Sequence, residues 1–387
     1  MSTSRSATLP VARPSLGQAE EVAVLEVLRS GWVSQGPRVA AFEAAFAEYV
    51  GAAHAIAVSS CTTALHLAML VVDIKAGDEV LCPSLSYIAT ANGIVHAGGT
   101  PVFVDVDRST YNIDPRRIED AITPRTRAIL AVHQVGLPSP MEAICEIANR
   151  CGLLVIEDAA CAIGSVYKGR RIGQPHTSMA CFSFHPRKIL TTGEGGMITT
   201  ADAELAARLR RLRQHAMSVS DLARHASAQV VVESYDEVGY NYRMTDLQAA
   251  IGLVQLQRLQ EMIDRRRSLA SRYTERLSQL EWLIPPCEPT ECKQNYQSYM
   301  VRLAEDAPVT RDQLMQELLN QGISTRRGVM AIHRESPYRD GQWDARLPET
   351  NLVADTTIIL PLFHDMTESD QDHVLDCVEH ISSLVRR

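Results

Sequence analysis

Seven short, predominantly apolar runs separated by helix-forming stretches limit this chain more than any other feature. They lie at Ala55–Val58, Glu79–Cys82, Pro101–Val106, Ala128–His133, Leu153–Asp158, Met179–Phe184 and Gly196–Thr200. Several show no polar alternation, which suits strands covered by helices on both faces. Between them the spacing predicts helices. Ala23, Val24, Val27 and Leu28 share one face of Gln18–Arg29, and further helical patterns cover Val39–Val50 and Ala64–Val72. An α/β sandwich with a mostly parallel sheet follows.

The texture changes after a basic amphipathic helix expected at Ala203–Ala216. Residues 218–237 are polar without clear period and read as a surface excursion. A helix from Thr245, a plausible N-cap, to about Leu280 is long enough to bridge two domains. The Pro285-Pro-Cys-Glu-Pro289 stretch then marks a boundary, and Ser298–Leu303, Arg311–Asn320, Thr356–Leu360 and Glu368–Val385 supply a smaller α+β domain. The expected division is a large domain over 1–258, with an N-terminal arm, and a small domain over 259–387.

Composition excludes several classes. A formal net charge of -8 argues against a nucleic-acid or anionic-membrane surface. No stretch approaches the ~18 apolar residues of a membrane span, and Met1–Pro14 lacks the apolar segment of a secretory signal. The nine cysteines form no Cys-x-x-Cys pair, so neither a disulfide framework nor a metal site is expected and a cytoplasmic location fits.

Chemistry concentrates at two places. Leu153–Asp158 delivers a carboxylate to the carboxyl end of a strand, where open α/β sheets bind ligands, although Asp158 also reads as an N-cap for the following turn. Lys188 lies on a loop in Cys181-Phe-Ser-Phe-His-Pro-Arg-Lys-Ile-Leu-Thr-Thr-Gly-Glu-Gly-Gly196. Together they suit pyridoxal 5′-phosphate, whose carbonyl a lysine amine captures and whose ring nitrogen a carboxylate holds protonated. Ser60-Cys-Thr-Thr63 opens a helix after a strand and offers hydroxyls and N–H groups to a phosphate, with Ser183 as a further hydroxyl. Simple capping explains Thr62 and Thr63 equally well. Tyr87 follows a strand end, placed either to stack on a ring or merely to pack.

These motifs, with Pro14-Ser-Leu-Gly17, Gln35-Gly36, Phe42-Glu43, Ile156-Glu-Asp-Ala-Ala160 and Gly239-Tyr-Asn-Tyr-Arg-Met244, resemble the DegT/DnrJ/EryC1/StrS family of pyridoxal phosphate-dependent sugar aminotransferases over essentially the whole chain. The resemblance implies the fold type I architecture of the aspartate aminotransferase superfamily, with a seven-stranded sheet, and a homodimer with shared active sites. It implies that Lys188 carries the cofactor, that Asp158 meets the pyridine nitrogen, and that Thr62, Thr63 and Ser183 hold the phosphate. Asn241 would reach that phosphate from the neighbouring subunit, and Tyr87 would stack on the ring. The cofactor would alternate with pyridoxamine 5′-phosphate, L-glutamate would be the donor, and a nucleotide-linked 3- or 4-keto-hexose the acceptor. A free inosose is the alternative acceptor. A sugar dehydratase, in which histidine replaces the lysine, and a non-enzymatic regulator are more remote.

Three departures from the family pattern stand out. Cys61 precedes the first phosphate threonine where glycine is frequent, and Cys161 stands where glutamine or histidine is frequent near the cofactor; Cys161 reads either as a weak cofactor neighbour or as packing, the favoured reading. Thr325–His333 replaces a His-Tyr-x-Pro-x-His stretch and carries Arg326 and Arg327, suited to a diphosphate or a carboxylate or else a solvated pair. Trp32, His185, Tyr240, Arg326 and His333 are the expected outer-pocket residues, His185 shaping the site rather than acting as a base.

Overall fold

The computed structural model describes residues 8–174, 177–219, 224 and 227–384. Residues 1–7 of the expected N-terminal arm, part of the 218–237 excursion and Val385 lie outside them. In chain order the main elements are α1 (Gln18–Ser30), α2 (Pro37–Val50), β1 (His54–Val58), α3 (Cys61–Val71), β2 (Glu79–Pro83), α4 (Ala89–His96), β3 (Thr100–Val104), β4 (Thr126–Val132), α5 (Met141–Cys151) and β5 (Leu154–Asp158). Then come β6 (Val166–Tyr167), β7 (Arg170–Arg171), β8 (Met179–Ser183), β9 (Gly196–Thr200), α6 (Ala203–Leu212) and α7 (Asp246–Leu277). The remainder comprises β10 (Leu283–Ile284), β11 (Cys292–Lys293), β12 (Tyr299–Leu303), α8 (Arg311–Asn320), β13 (Arg326–Arg327), α9 (Pro348–Thr356), β14 (Thr357–Leu360) and α10 (Glu368–Leu384).

The seven apolar runs form one sheet in the order β1-β9-β8-β5-β4-β2-β3. Successive residues face opposite sides of a strand, and both sides are covered here. Ala55 and Ala57 of β1 enter the core that holds Phe42, Phe46, Phe182 and Phe184, whereas Ile56 and Val58 enter the core under α3. Burial on both faces is why these strands lack alternation. All neighbouring pairs are parallel except those of β9, which runs against β8 and β1. The reversal has a functional result: the chain leaving β8 turns straight back over the carboxyl ends of the sheet, and Lys188 rides on that turn.

Thr245 caps α7 by accepting from Gln248 N at 3.2 Å. Asp246 caps α2 in turn, accepting from Gly36 N at 2.8 Å and Val39 N at 3.0 Å. Along α7, Leu259, Met262 and Ile263 belong to the core beneath the sheet, and Leu269, Ala270, Tyr273 and Leu277 belong to a second core. Between these groups the buried Arg266 donates to the carbonyls of Tyr296, Gln297 and Leu362 at 2.7–3.0 Å. Burial pushes its guanidinium down to about 10. The second core lies against the antiparallel sheet β10-β12-β14-β13 with α8 and α10.

Local differences from the sequence reading have physical causes. The helix expected to reach Ala216 stops at Leu212 because Arg213 turns inward to Glu43 and the Ala57 carbonyl, after which His215 and Ala216 take positive φ of 63° and 59°. Helices α4, α5 and α9 were not singled out in the sequence. In the excursion, Ser218 N reaches Ser234 O at 3.0 Å, while Val230, Val232 and Val238 are exposed. No helix among the described residues is long and apolar enough to cross a membrane.

Candidate active site

A cavity of about 410 Å³ opens above the carboxyl ends of β4, β5 and β8. Its floor comes from the sheet and α3, and its outer wall from residues 326–330. The wall is tacked onto the end of β2: Ile332 N donates to Ser84 O at 2.8 Å, Ser86 N to Met330 O at 3.2 Å, and Leu85 bridges Ala331.

Asp158 closes β5 and is only 5% exposed. Its Oδ2 accepts from Thr90 Oγ1 at 2.8 Å, and Thr90 also contacts Ser86 Oγ at 2.7 Å. Oδ1 accepts from Ala160 N at 3.1 Å, so the capping reading of Asp158 is partly right. A carboxylate offers about four acceptor sites, which leaves room for a further donor. Burial, then the charge of Asp158, pushes the thiols of Cys61, Cys82 and Cys181 up, so that these three stay protonated.

The chain has four lysines. Lys75, Lys168 and Lys293 are exposed, whereas Lys188 is partly buried and lines the cavity. Lys188 N donates to His185 O at 2.8 Å, and Nζ lies 3.0 Å from Cys161 Sγ. Burial alone would favour the neutral amine, but Cys161, Cys61 and Asp158 together hold it above its ordinary value. The site around the free lysine therefore does not itself lower the amine's pKa. Cys161 also leaves the packing role expected of it, since it lines the cavity.

Gly196 lets β9 pass close to the start of α3; a Cβ there would lie 2.6 Å from the Ser60 carbonyl. Ser60 is the N-cap of α3, accepting from Thr63 N at 3.2 Å. Thr63 Oγ1 turns back to donate to Ser60 O at 2.8 Å. Thr62 faces the cavity and Thr63 does not, because the cap engages the Thr63 hydroxyl. Ser183, His185 and Tyr87 line the cavity, Tyr87 being 62% exposed. His185 Nδ1 accepts from Arg187 N at 3.2 Å, and burial pushes its imidazole down.

Arg326 and Arg327 line the outer wall from β13, an edge strand paired with β14. Arg327 reaches Glu335 at 3.2 Å; Arg326 makes no ion pair among the described residues. Besides Thr63, three expected residues fall outside the cavity, as does Asn241, which was expected at the neighbouring subunit's phosphate. His333 is buried against Ser84 Oγ at 2.8 Å, with Asp344 and Asn351 at its other nitrogen, and so staples the wall to the sheet. Tyr240 stacks on Tyr242 at 5.0 Å, and Trp32 Nε1 donates to Gln35 O at 3.0 Å. Asn241 is exposed and bridges Gln214.

Several cavity residues were missed: Thr90 and Ser86 behind Asp158, Val11 and Ala12 from the N-terminal segment, and Gln297. A Ser-x-x-x-Thr spacing at Ser86 and Thr90 was an available signal. Gln297 had none, because it arrives from a distant segment. An inward lysine, a carboxylate with spare acceptor capacity and a helix N-terminus flanked by hydroxyls all face one void. That donor set fits pyridoxal phosphate.

The model of the DegT/DnrJ/EryC1/StrS aminotransferase family matches residues 14–379. The chain belongs to this family. Among solved structures, the aminotransferase TlmJ from Streptoalloteichus hindustanus is 35% identical, with a TM-score of 0.89 over 98% of this chain and 100% of that one. DesV from S. venezuelae, solved with a ketimine intermediate, is 33% identical, with a TM-score of 0.87 over 99% and 100%. Spr1654 from Streptococcus pneumoniae, described as a candidate sugar aminotransferase, is 25% identical in its pyridoxal phosphate form, with a TM-score of 0.90 over 98% and 99%. As a member of the DegT/DnrJ/EryC1/StrS family, the chain is a pyridoxal phosphate-dependent sugar aminotransferase of fold type I.

Proposed function

We propose that this enzyme moves an amino group from L-glutamate to a nucleotide-linked keto-hexose, at C3 or C4 of the sugar. The observation that carries this reading is the pairing, in one cavity, of Lys188 and Asp158 on the floor with Arg326 and Arg327 on the outer wall. Guanidinium groups pair with phosphate through parallel N–H donors, a recognition that an uncharged inosose would leave unused.

Pyridoxal phosphate, when bound, supplies the carbonyl that captures the donor amine and the ring that takes up the electrons left at the α-carbon. Lys188 Nζ, once released, takes the proton from the donor α-carbon and later delivers one to the carbon that receives the amine. Asp158 accepts from the ring N–H and keeps that proton in place. Thr62, Ser183 and the N–H groups opening α3 hold the phosphate. Tyr87 covers the ring, and His185 shapes the wall beside it.

We also propose a homodimer. Asn241 is exposed and does not line its own cavity, and Val230, Val232 and Val238 are exposed at 94%, 85% and 85%, which supports a second copy covering this region and receiving Asn241 at its phosphate. The change of core along α7 supports two domains, and since it falls between Ile263 and Leu269 it favours a division a few residues beyond the expected 258/259 boundary. Nine free thiols support a cytoplasmic setting.

The test is a screen of the pyridoxamine phosphate form against keto-sugar nucleotides and inososes, following return of the visible absorption of the bound cofactor. Faster return with a keto-sugar nucleotide is expected. Return with inososes alone would overturn the acceptor assignment.

A further inference from the structure

Lys188 has a sulfur neighbour to which none of the roles above gives a task. Its Nζ lies 3.0 Å from Cys161 Sγ, and both residues line the cavity. The contact is fixed from behind. Asn295 is fully buried and donates from Nδ2 to the carbonyls of Cys161 and Ile163, each at 2.8 Å. Its Oδ1 accepts from Gln297 N at 2.8 Å. Gln297 then accepts from Ile189 N at 3.0 Å and donates to Arg187 O at 2.6 Å, gripping the chain on both sides of Lys188. One short segment thus sets the separation between the thiol loop and the lysine loop. The nearby Cys61 is not equivalent: it is buried, and its thiol is directed to Cys181 O at 3.8 Å.

We propose that Cys161 is a catalytic partner of Lys188, its sulfur receiving the lysine N–H whenever the amine is free of the cofactor and governing how readily that amine releases its proton. This rests on Lys188 being the cofactor lysine. The groups that face the amine are Cys161 and Asp158 at and beyond the end of β5, Cys61 at the start of α3, and His185 on the lysine's own loop. Burial opposes the charged amine while Cys161, Cys61 and Asp158 favour it, so removing the Cys161 sulfur shifts the balance toward the neutral form. The coupling is reciprocal, because the sulfur that receives the lysine N–H loses that donor when the lysine is replaced.

The test uses the full-length protein carrying pyridoxamine 5′-phosphate, in which Lys188 is free. Acetylation of Lys188 by acetic anhydride is followed against pH by peptide mapping. Cys161→Ala is expected to move the onset to lower pH by about one unit, equal to about tenfold more labelling at neutral pH. Cys161→Ser, whose hydroxyl accepts the N–H without ionising, is expected to restore part of the parent profile. A second measurement needs no change at Cys161: iodoacetamide is expected to alkylate Cys161 several-fold faster in the parent than in Lys188→Met. An unchanged lysine profile in Cys161→Ala, or equal alkylation of Cys161 with and without the lysine, overturns the pairing. Borohydride reduction of the pyridoxal phosphate-loaded protein reports separately on the underlying assignment. Cofactor recovered on Lys75, Lys168 or Lys293 would sink the role of Lys188 itself.

Discussion

The floor and the outer wall of the cavity are built in opposite ways. On the floor each functional group is held by a named partner: Asp158 by Thr90 and Ala160, Lys188 by the His185 carbonyl and the Gln297 bracket, and the start of α3 by the Ser60 cap. The wall presents Arg326 from an edge strand, without an ion pair among the described residues, and Tyr87 from a loop with 62% of its surface exposed. A preorganised floor costs no rearrangement when charge develops, which suits chemistry common to every substrate. Loosely held side chains on a wall whose backbone is pinned to the sheet can change without disturbing that chemistry, which suits the choice of acceptor.

The comparison is broken most directly at the floor. Lys188→Ala removes both the covalent anchor and the proton carrier, and turnover is expected to fall by at least about 10⁴-fold with loss of the cofactor's visible absorption. Steady-state assays and an absorption spectrum check this; full activity would end the assignment. Asp158→Asn keeps the size of the group while removing its charge. A loss of about 10²–10³-fold in kcat is expected, with the cofactor still bound by dialysis-resistant absorption. A larger loss in cofactor retention than in kcat would mean that Asp158 mainly anchors rather than polarises.

The same division separates what is legible in the amino-acid sequence from what is not. The seven strands are legible because a run buried on both faces carries its own signature, and Asp158 and Lys188 are legible because each sits within its own short contiguous motif, one closing a strand and one on a loop. Ser60 to Thr63 is legible as a helix start, but which hydroxyl caps and which faces the void depends on rotamers: Thr63 points back to Ser60 O while Thr62 lines the cavity. The wall is legible only in part: Arg326 and Tyr87 do line the cavity, but residue chemistry alone does not separate them from neighbours that do not. Tyr240 and His333 have the chemistry of pocket residues, yet Tyr240 is taken up by Tyr242 and His333 by Ser84. Gln297 and Val11 reach the cavity only through tertiary packing, and nothing in their local sequence marks them.

A smaller effect is expected at the wall. Arg326→Ala removes one unpaired guanidinium, and a charge-assisted hydrogen bond is worth about 1.5–3 kcal/mol, or roughly ten- to a hundredfold. The loss is expected in kcat/KM for a keto-sugar nucleotide, with the glutamate half-reaction unchanged. Single-turnover rates measured separately for the two halves decide the matter. If the glutamate half falls instead, Arg326 serves the donor carboxylate and the wall is not the acceptor's alone.

Thr90→Val gives the smallest effect and the sharpest test of where the floor ends. Valine preserves the shape of the threonine but takes away the hydroxyl between Ser86 Oγ and Asp158 Oδ2. Asp158 keeps its bond from Ala160 N, so the carboxylate is loosened rather than stranded. A hydrogen bond to a charged group is worth about 1.5–3 kcal/mol, but Thr90 holds Asp158 in the resting and the reacting enzyme alike, so only part of that reaches the rate and a loss of about fivefold is expected. Because Asp158 acts on the ring and not on either substrate, both half-reactions should slow by the same factor, whichever acceptor is used. Stopped-flow rates for glutamate and for the ketone, compared in parent and variant, measure that equality. A loss confined to the acceptor half would place Thr90 functionally with Arg326, and the boundary between a shared floor and a selective wall would then run between α4 and the end of β5.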